Sequence, residues 1–260
     1  MEANPKNVMR EANGEQLCVS HRGDFETFGN YFAKDMERFR MVRALDTCRN
    51  IREFCGALCP NRVLEVGCGD GVVLQVLGDA GFGKELYGLE VSNTGLEATA
   101  ERKIENLREV RLFNGYDIPY PDRHFDLVLL PLVLEYVEDP RRLLREMARV
   151  ACHLYIQVQL YDVSVKRNFA PDQFHTLNWY TERTLRLQLQ SSGLRILRMR
   201  SHNPVVETYT LLNSKPMVGR LKWFIKEAGL RMAPWLARRL WNYQCAALCV
   251  ASEGEVQNDA

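Results

Sequence analysis

Residues 63–71 read VLEVGCGDG, an apolar run that ends in glycines at every second position. A Val/Leu run of this length is typical of a strand buried on both faces. Gly67, Gly69 and Gly71 follow where that strand must turn, and glycines in a turn permit positive φ angles and let a ligand approach the main chain. The stretch therefore predicts the first core strand of a parallel sheet, with a ligand-binding turn at its carboxyl end.

The segments around this stretch alternate between strand and helix patterns. After a strand at Arg62–Val66, apolar strand patterns recur at 86–89, 110–113, 125–130 and 153–160, with helical patterns between them that include 92–107 and 140–150. Such alternation is typical of an α/β fold with helices on both faces of the sheet. We predict a Rossmann-like doubly wound sheet that is mostly parallel with an antiparallel last strand, preceded by an N-terminal helix over about Tyr31–Leu58.

The chain is expected to form one α/β core with additions, because its 260 residues are close to the roughly 200–250 that single α/β units reach. We predict an N-terminal segment and helical cap at 1–58, a core at 59–201, a helical insertion or cap at 202–243, the final strand at 244–252 and a disordered tail at 253–260. Two amphipathic helices are expected in the insertion, one on each side of Pro234.

Composition and charge exclude several classes of protein. A formal charge of +1 argues against a globally basic nucleic-acid binder. The N-terminal residues show no apolar leader, and no apolar run approaches the roughly 20 residues of a spanning helix. Eight cysteines occur without a CxxC pair, and two pairs stand four apart, Cys55/Cys59 and Cys245/Cys249, as on one helical face. We expect buried thiols, no metal site and a cytoplasmic location, with membrane association left open.

The glycine spacing gives little support to a diphosphate ligand. A dinucleotide fingerprint, GxGxxG, would need glycine where Val72 stands, and the GK[ST] sequence of a phosphate-binding P-loop is absent. A nicotinamide-dependent oxidoreductase therefore remains only an alternative hypothesis.

The sequence EVGCGDG resembles the nucleotide-binding motif of the class I S-adenosylmethionine-dependent methyltransferases. The resemblance continues through YGLE, NGYDIPYPD and PDRHFDLVLLPLVLEYVEDPRRLLREMARV, and it covers about Val63–Gln159. It implies a Rossmann-like fold, S-adenosylmethionine as cofactor and methyl transfer as the activity.

The resemblance also assigns roles to single residues. By analogy, Glu65 helps to hold the methionine amino group, Glu90 accepts the ribose hydroxyls, and Asp117 meets the adenine amino group beside Ile118. Carbonyls near Leu130 and Pro131 are expected to face the sulfonium. The implied cofactor-binding residues are Glu65, Gly67, Cys68, Gly69, Gly71, Glu90, Val91, Asp117, Ile118, Leu130 and Pro131.

Two residues are candidates for a catalytic base. His175 lies in the loop after the fifth strand, where the family often builds its acceptor pocket, and a neutral imidazole can take a proton near pH 7. Tyr136 stands where many relatives carry histidine. A base is not essential, because transfer from a sulfonium is an in-line displacement that alignment and exclusion of water can accelerate.

The acceptor is expected to be a small molecule or a lipid- or glycan-linked intermediate, methylated at oxygen or nitrogen. Residues 219–243 mix tryptophans with arginines and lysines at helical spacing, a pattern compatible with peripheral membrane contact or with an ordinary solvated cap helix. Nucleic acid is not expected as a partner, and the oligomeric state is left open. A non-catalytic module that keeps the cofactor fold and binds a membrane surface or a partner is the competing hypothesis.

Overall fold

One mixed sheet with helices against both faces makes up the described part of the chain, which in the computed structural model is residues 9–10, 36–161 and 176–252. The strands are β1 (Met9–Arg10), β2 (Arg62–Val66), β3 (Glu85–Glu90), β4 (Leu107–Leu112), β5 (Phe125–Pro131), β6 (Ala151–Gln159), β7 (Leu194–His202) and β8 (Gln244–Ala251). The helices are α1 (Glu37–Cys55), α2 (Val72–Asp79), α3 (Asn93–Glu101), α4 (Pro140–Val150), α5 (Glu182–Ser191), α6 (Val206–Leu212), α7 (Pro216–Met232) and α8 (Pro234–Leu240). Short 3₁₀ helices at Gly56–Leu58 and Leu134–Tyr136 follow α1 and β5.

The strand order is β1-β4-β3-β2-β5-β6-β8-β7. Strand β8 runs antiparallel to both of its neighbours, and the other pairs are parallel. The order reverses beside β2, which pairs with β3 on one side and β5 on the other, and ligands bind at such a switch point in open α/β sheets. The predicted doubly wound sheet with an antiparallel last strand is confirmed.

The two faces of the sheet carry separate hydrophobic cores because successive side chains of a strand point to opposite faces. On β2, Leu64 and Val66 join the core on the side of α4 and α5, while Val63 joins the core on the side of α1 and α2. Glu65 alternates with them and so faces the α1 side of the sheet. Each fully buried Leu or Val contributes roughly 1.5–3 kcal/mol to stability. The first core strand is therefore fixed on both faces, and the turn after it starts from a rigid position.

Helix α3 is shorter than the sequence pattern predicts. Ser92 caps it as expected, its hydroxyl oxygen accepting a hydrogen bond from the Gly95 N–H at 3.1 Å, but the helix ends at Glu101 rather than near Leu107. Arg102 leaves the helical conformation with ψ 140°, and its guanidinium turns toward Asp70. Strand β4 accordingly begins at 107, three residues before the predicted start. The helix thus ends where Arg102 makes a long-range ion pair that no local pattern reveals.

The C-terminal insertion contains three helices in the described residues, not the two that were expected. Helix α6 precedes the predicted pair, and Pro216 and Pro234 each occupy the first turn of a new helix. Cys245 and Cys249, which the spacing could have placed on a helix, lie on β8 with their thiols in the core. Cys59 and Cys152 are exposed, contrary to the expectation of buried thiols. None of the helices in 36–161 and 176–252 has the length and apolarity that crossing a bilayer requires.

The close approach of α2 to residue 105 yields a stability prediction. A Cβ on Gly78 would lie 2.6 Å from the Glu105 carbonyl oxygen, whereas a Cβ on Gly56 would meet nothing within 4 Å. We expect Gly78→Ala to lower the free energy of unfolding by about 1–3 kcal/mol through overpacking, in spite of the higher helix propensity of alanine. Gly56→Ala is the control and should leave stability equal or higher. Urea unfolding of both variants measures this, and equal midpoints would contradict it.

Candidate active site

A cavity of about 290 Å³ lies at the carboxyl ends of β2, β3 and β5, with α1 along one side. Eight of the residues predicted from the sequence line it: Glu65, Gly67, Cys68, Gly69, Glu90, Val91, Pro131 and Tyr136. Gly71, Asp117, Ile118 and Leu130 do not, and His175 lies outside the described residues. The cavity thus brings together the glycine turn and both predicted glutamates.

The turn after β2 depends on backbone angles that favour glycine. Gly67, Gly69 and Gly71 have φ angles of 72°, 57° and 72°, which cost little only without a Cβ. The N–H groups of Gly67 and Cys68 both donate to the Leu89 carbonyl, at 2.7 and 3.0 Å. The turn therefore folds back over the end of β3, and its main chain lines the cavity.

Glu90 holds this turn in place. Its Oε2 accepts a hydrogen bond from the Gly69 N–H at 2.7 Å, and its Oε1 accepts from the N–H groups of Val91 and Ser92 at 2.9 and 3.1 Å. Burial raises the pKa of Glu90 above its ordinary value, and the three backbone donors oppose that rise. A carboxylate offers about four acceptor sites, and among the described residues Oε2 receives only one donor. Glu90 can therefore still accept a hydroxyl from a ligand.

Glu65 is the buried acid at the other end of the turn. Its side chain is almost fully buried, and its Oε2 has no hydrogen-bond partner among the described residues. Burial raises the pKa of Glu65 well above its ordinary value, and the charges of Asp70 and Glu90 add to the effect. A buried, unpartnered carboxylate oxygen is costly on its own. It fits a cationic donor, such as an amino group, brought by a ligand.

The structure separates Asp117 from the cavity. Its side chain is 54% exposed, and it binds Arg142 and Asn114, each at 2.6 Å. Those contacts, the Asn114 amide first, hold the pKa of Asp117 below its ordinary value. Arg142 in turn stacks over the ring of Tyr116, a lining residue, at 4.8 Å. Asp117 is thus linked to the cavity wall through Arg142 and through Asn114, whose Oδ1 accepts a hydrogen bond from the Tyr116 N–H at 3.0 Å.

Three other predicted residues also lie off the cavity. Ile118 and Leu130 have their side chains in the hydrophobic core. Gly71 is the N-cap of α2, where a Cβ would lie 2.7 Å from Thr99 Cγ2. Pro131, one residue beyond Leu130, does line the cavity. The prediction for Leu130 and Pro131 concerned their carbonyl groups, which a buried Leu130 side chain does not exclude, and it stays a prediction.

Sequence reasoning missed the contribution of α1. Arg40, Arg43, Ala44 and Thr47 line the cavity from this helix. The buried guanidinium of Arg40 donates to Asp70 in the glycine turn at 2.9 Å. Arg102 also contacts Asp70 and reaches Glu37 at 2.9 Å. The sequence held one indication of this contact, the acidic Asp70 in GCGDG. Its arginine partners, however, lie 30 and 32 residues away along the chain.

The 3₁₀ turn that carries Tyr136 is anchored by Glu135. The Glu135 Oε1 accepts a hydrogen bond from the Gln159 N–H at 2.5 Å, and the Glu135 carbonyl accepts from Leu177 and Asn178 at 2.9 Å each. Its Oε2 has no partner among the described residues. Burial raises the pKa of Glu135 to about 7, against the opposing hydrogen bond from Gln159. The wall of the cavity thus depends on a carboxyl that titrates near neutrality.

This titration predicts a pH-dependent stability. Because the folded-state pKa of Glu135 lies above the unfolded value, the stability it contributes is complete below about pH 4.5 and is lost as the pH rises through about 7. We expect Glu135→Gln to match the wild type at about pH 4 and to exceed it by up to about 3 kcal/mol at about pH 8. Urea unfolding at the two pH values measures the difference. A gain for Glu135→Gln that is equal at both pH values would refute the assignment.

Comparison with known proteins identifies the family. The model of the methyltransferase domain family matches residues 36–198. The chain is 39% identical over 90 residues to a demethylmenaquinone methyltransferase of Bacillus licheniformis (34% of this chain, 38% of that protein) and 33% identical over 100 residues to a phosphatidylethanolamine N-methyltransferase of Cereibacter sphaeroides (34% and 44%). It spans about two fifths of the length of these curated relatives.

A solved structure shows the same fold over most of the chain. It is the complex between the Haloferax volcanii Trm112 methyltransferase activator and a methyltransferase, which matches 91% of this chain and 99% of its own with a TM-score of 0.63 at 19% identity. The unpartnered oxygen of Glu65 and the spare acceptor site of Glu90 fit the amino group and the ribose of S-adenosylmethionine. The chain therefore belongs to the methyltransferase domain family of class I S-adenosylmethionine-dependent methyltransferases, and its cofactor is S-adenosylmethionine.

Proposed function

We propose that this protein transfers a methyl group from S-adenosylmethionine to an oxygen or nitrogen of a small molecule or of a glycan- or lipid-linked intermediate. The observation that carries the proposal is the placing of two buried glutamates, Glu65 and Glu90, on either side of one glycine turn and facing one cavity. A purely structural role would not explain why the Oε2 atom of Glu65 has no hydrogen-bond partner among the described residues.

The glutamates orient the cofactor in this proposal. Glu90 accepts a ribose hydroxyl at the free site of Oε2 and keeps the Gly69 N–H in place with its remaining capacity. Glu65 receives the amino group, whose positive charge offsets the cost of the buried carboxylate. Phe113 and Tyr116 supply aromatic walls for the adenine ring, with Val91 beside them. The role first given to Asp117 becomes indirect, through its hold on Arg142.

The chain's contribution to the reaction is alignment. Bound S-adenosylmethionine supplies a methyl group on a sulfonium, whose transfer breaks the carbon–sulfur bond and forms a bond to the acceptor oxygen or nitrogen. Pro131 and Tyr136 line the same cavity at the end of β5 and form its wall on the acceptor side. Tyr136 is the described residue best placed to touch the acceptor, and His175 stays a prediction. Alignment and exclusion of water contribute most of the acceleration.

A lipid-type acceptor has the better support. The two relatives are named for a demethylated quinone and for a phospholipid. On α7, Met217, Leu221 and Phe224 stand at spacings of four and three residues and are exposed by 82%, 59% and 65%, as on one helix face. Basic residues flank them, a combination that suits anionic lipid surfaces. We propose that α7 and α8 rest on the cytoplasmic face of a membrane.

The cofactor assignment is tested by titration calorimetry with S-adenosylhomocysteine, the demethylated product. Glu90→Gln preserves the shape of the side chain, but its amide NH₂ group cannot accept a hydrogen bond as the second carboxylate oxygen does. We therefore expect the affinity for S-adenosylhomocysteine to fall by about 10-fold or more, as for a lost hydrogen bond to a charged group. Glu101→Gln, on the exposed side of α3, should bind like the wild type. Absence of binding to the wild type at high micromolar concentration would end the proposal.

The competing hypothesis of a non-catalytic module predicts a different result in one experiment, the transfer of a labelled methyl group. It would bind the cofactor and membranes and yet transfer no methyl group to any acceptor. Incubation with methyl-labelled S-adenosylmethionine and a lipid extract, followed by a search for labelled lipid, separates the two. Label that is absent from the lipid and from all soluble products would favour the module.

Membrane contact yields a separate prediction. Trp235 is 65% exposed, whereas Trp241 packs on α7 at Gly229, so only the former belongs to the surface expected to meet lipid. We expect Phe224→Ser combined with Trp235→Ser to abolish co-sedimentation with vesicles that contain anionic phospholipid, through lost apolar burial. Leu187→Ser, on the exposed side of α5, is the control and should sediment like the wild type. Undiminished sedimentation of the double variant would exclude this surface.

A further inference from the structure

A second cavity of about 170 Å³ adjoins the first across α1. Arg43 and Thr47 line both cavities, so these two residues of α1 separate the cofactor side from the second space. The other walls come from the ends of β6 and β8 and from α6 and α7. The lining residues include Asp46, Thr208, Tyr209, Leu212 and Lys226. The C-terminal insertion thus closes a pocket beside the proposed site of methyl transfer.

Lys226 is a half-buried cation in this pocket without an acidic partner among the described residues. Its ammonium donates to the Tyr209 hydroxyl and to the Asn242 carbonyl, the latter at 2.5 Å. Burial lowers the pKa of Lys226 to about 8, with no carboxylate to counter that effect. The ammonium also faces the rings of Tyr209 and Tyr243, whose centroids lie 4.8 and 5.0 Å from Nζ. Neither ring supplies a counter-ion, so the third donor of the ammonium can serve an anionic ligand. Buried charges without a counter-ion are uncommon in structures, and an anionic ligand would supply one here.

Two further groups in the pocket have hydrogen-bond donors that no acceptor among the described residues takes up. Thr208 is 8% exposed, and its hydroxyl has no hydrogen-bond partner among the described residues. The Arg43 guanidinium lies 5.6 Å from the Phe39 ring centroid and makes no direct hydrogen bond within 36–161 and 176–252, while its charge opposes the rise in the pKa of Asp46 and of Glu135. Asp46, the one carboxylate among the described residues that line the pocket, is already bound by Arg49 at 2.6 Å and by the Val205 N–H at 3.2 Å. The pocket therefore has an excess of hydrogen-bond donors and of positive charge.

We propose that this second cavity binds a phosphate group of the methyl acceptor through Lys226, Arg43 and Thr208. The inference rests on the proposed function and adds the substrate class to it: an amphiphile that carries a phosphate. The three donors reach the space from α7, α1 and α6, so they suit a tetrahedral anion, which presents acceptor oxygens in several directions.

An exposed apolar side chain also lines the second cavity. Leu212 lines it and is 64% exposed at the end of α6, next to the start of α7. A phosphate held by Lys226 would therefore share the cavity with an apolar side chain that also reaches solvent. This arrangement favours a lipid phosphate over free inorganic phosphate as the natural ligand. The shared residues Arg43 and Thr47 keep the group next to the cofactor cavity.

The test measures binding of dihexanoyl phosphatidate, a soluble phospholipid, to the protein saturated with S-adenosylhomocysteine. We expect Lys226→Met to weaken the affinity by about 10-fold, the effect of removing a hydrogen bond between charged partners, and Thr208→Val to weaken it by a smaller factor. Lys222→Met removes the same charge from the exposed side of α7 and should change the affinity less than twofold. Inorganic phosphate should compete weakly, and dihexanoyl glycerol, which lacks the phosphate, should not bind.

The outcomes separate this inference from the proposed function. If S-adenosylhomocysteine binds and phosphatidate does not, or if Lys226→Met and Lys222→Met weaken phosphatidate equally, the phosphate site is refuted while the methyltransferase proposal stands. Equal affinity for dihexanoyl glycerol would refute it as well. Thermal unfolding of each variant shows whether Lys226 only ties α6 to the segment between α8 and β8. A destabilised Lys226→Met variant is replaced in the comparison by Thr208→Val, whose weakened binding supports the site and whose unchanged binding overturns it.

Discussion

The hydrogen bond from the Gly69 N–H to Glu90 is the contact on which the site depends. It joins the turn after β2 to the end of β3, and the Leu89 carbonyl fixes the same turn through Gly67 and Cys68. Because three residues of this turn have positive φ angles, its main chain can lie bare beside the cavity. A side chain at Gly67 would lie 2.8 Å from Val133 Cγ2. The sheet thus supplies a rigid edge, and the glycines expose it to the cofactor.

A buried ion-pair network gives this edge its outer wall. Asp70 meets Arg40 from α1 and Arg102 from the end of α3, and Glu37 binds both arginines. Removing one partner from such a buried network is strongly destabilising because it leaves an uncompensated charge. The network therefore fixes α1 against the glycine turn. Through α1 it also positions Arg43, which separates the cofactor cavity from the second one.

The local sequence was sufficient to predict the bounds of an element where residues within or next to that element determine them. The pattern placed β2 at 62–66 and α4 at 140–150, because a Val/Leu run and a proline after an acidic cap determine these boundaries locally. It failed at the end of α3, where Arg102 leaves the helix and pairs with Asp70. It also did not reveal that the Asp117 side chain pairs with Arg142 on the surface, and a role of Asp117 toward the cofactor stays a prediction.

The sequence by itself determined the α/β fold, the glycine turn and the two glutamates at the ends of consecutive strands, since strand periodicity and backbone angles are properties of short segments. Only the tertiary structure decided which side chains share a cavity. Arg40, Arg43 and Lys226 lie far from the motif along the chain and reach the two cavities through the packing of α1 and the C-terminal helices. The reason is that a side chain's direction and its partner depend on contacts between distant segments, which no local pattern contains.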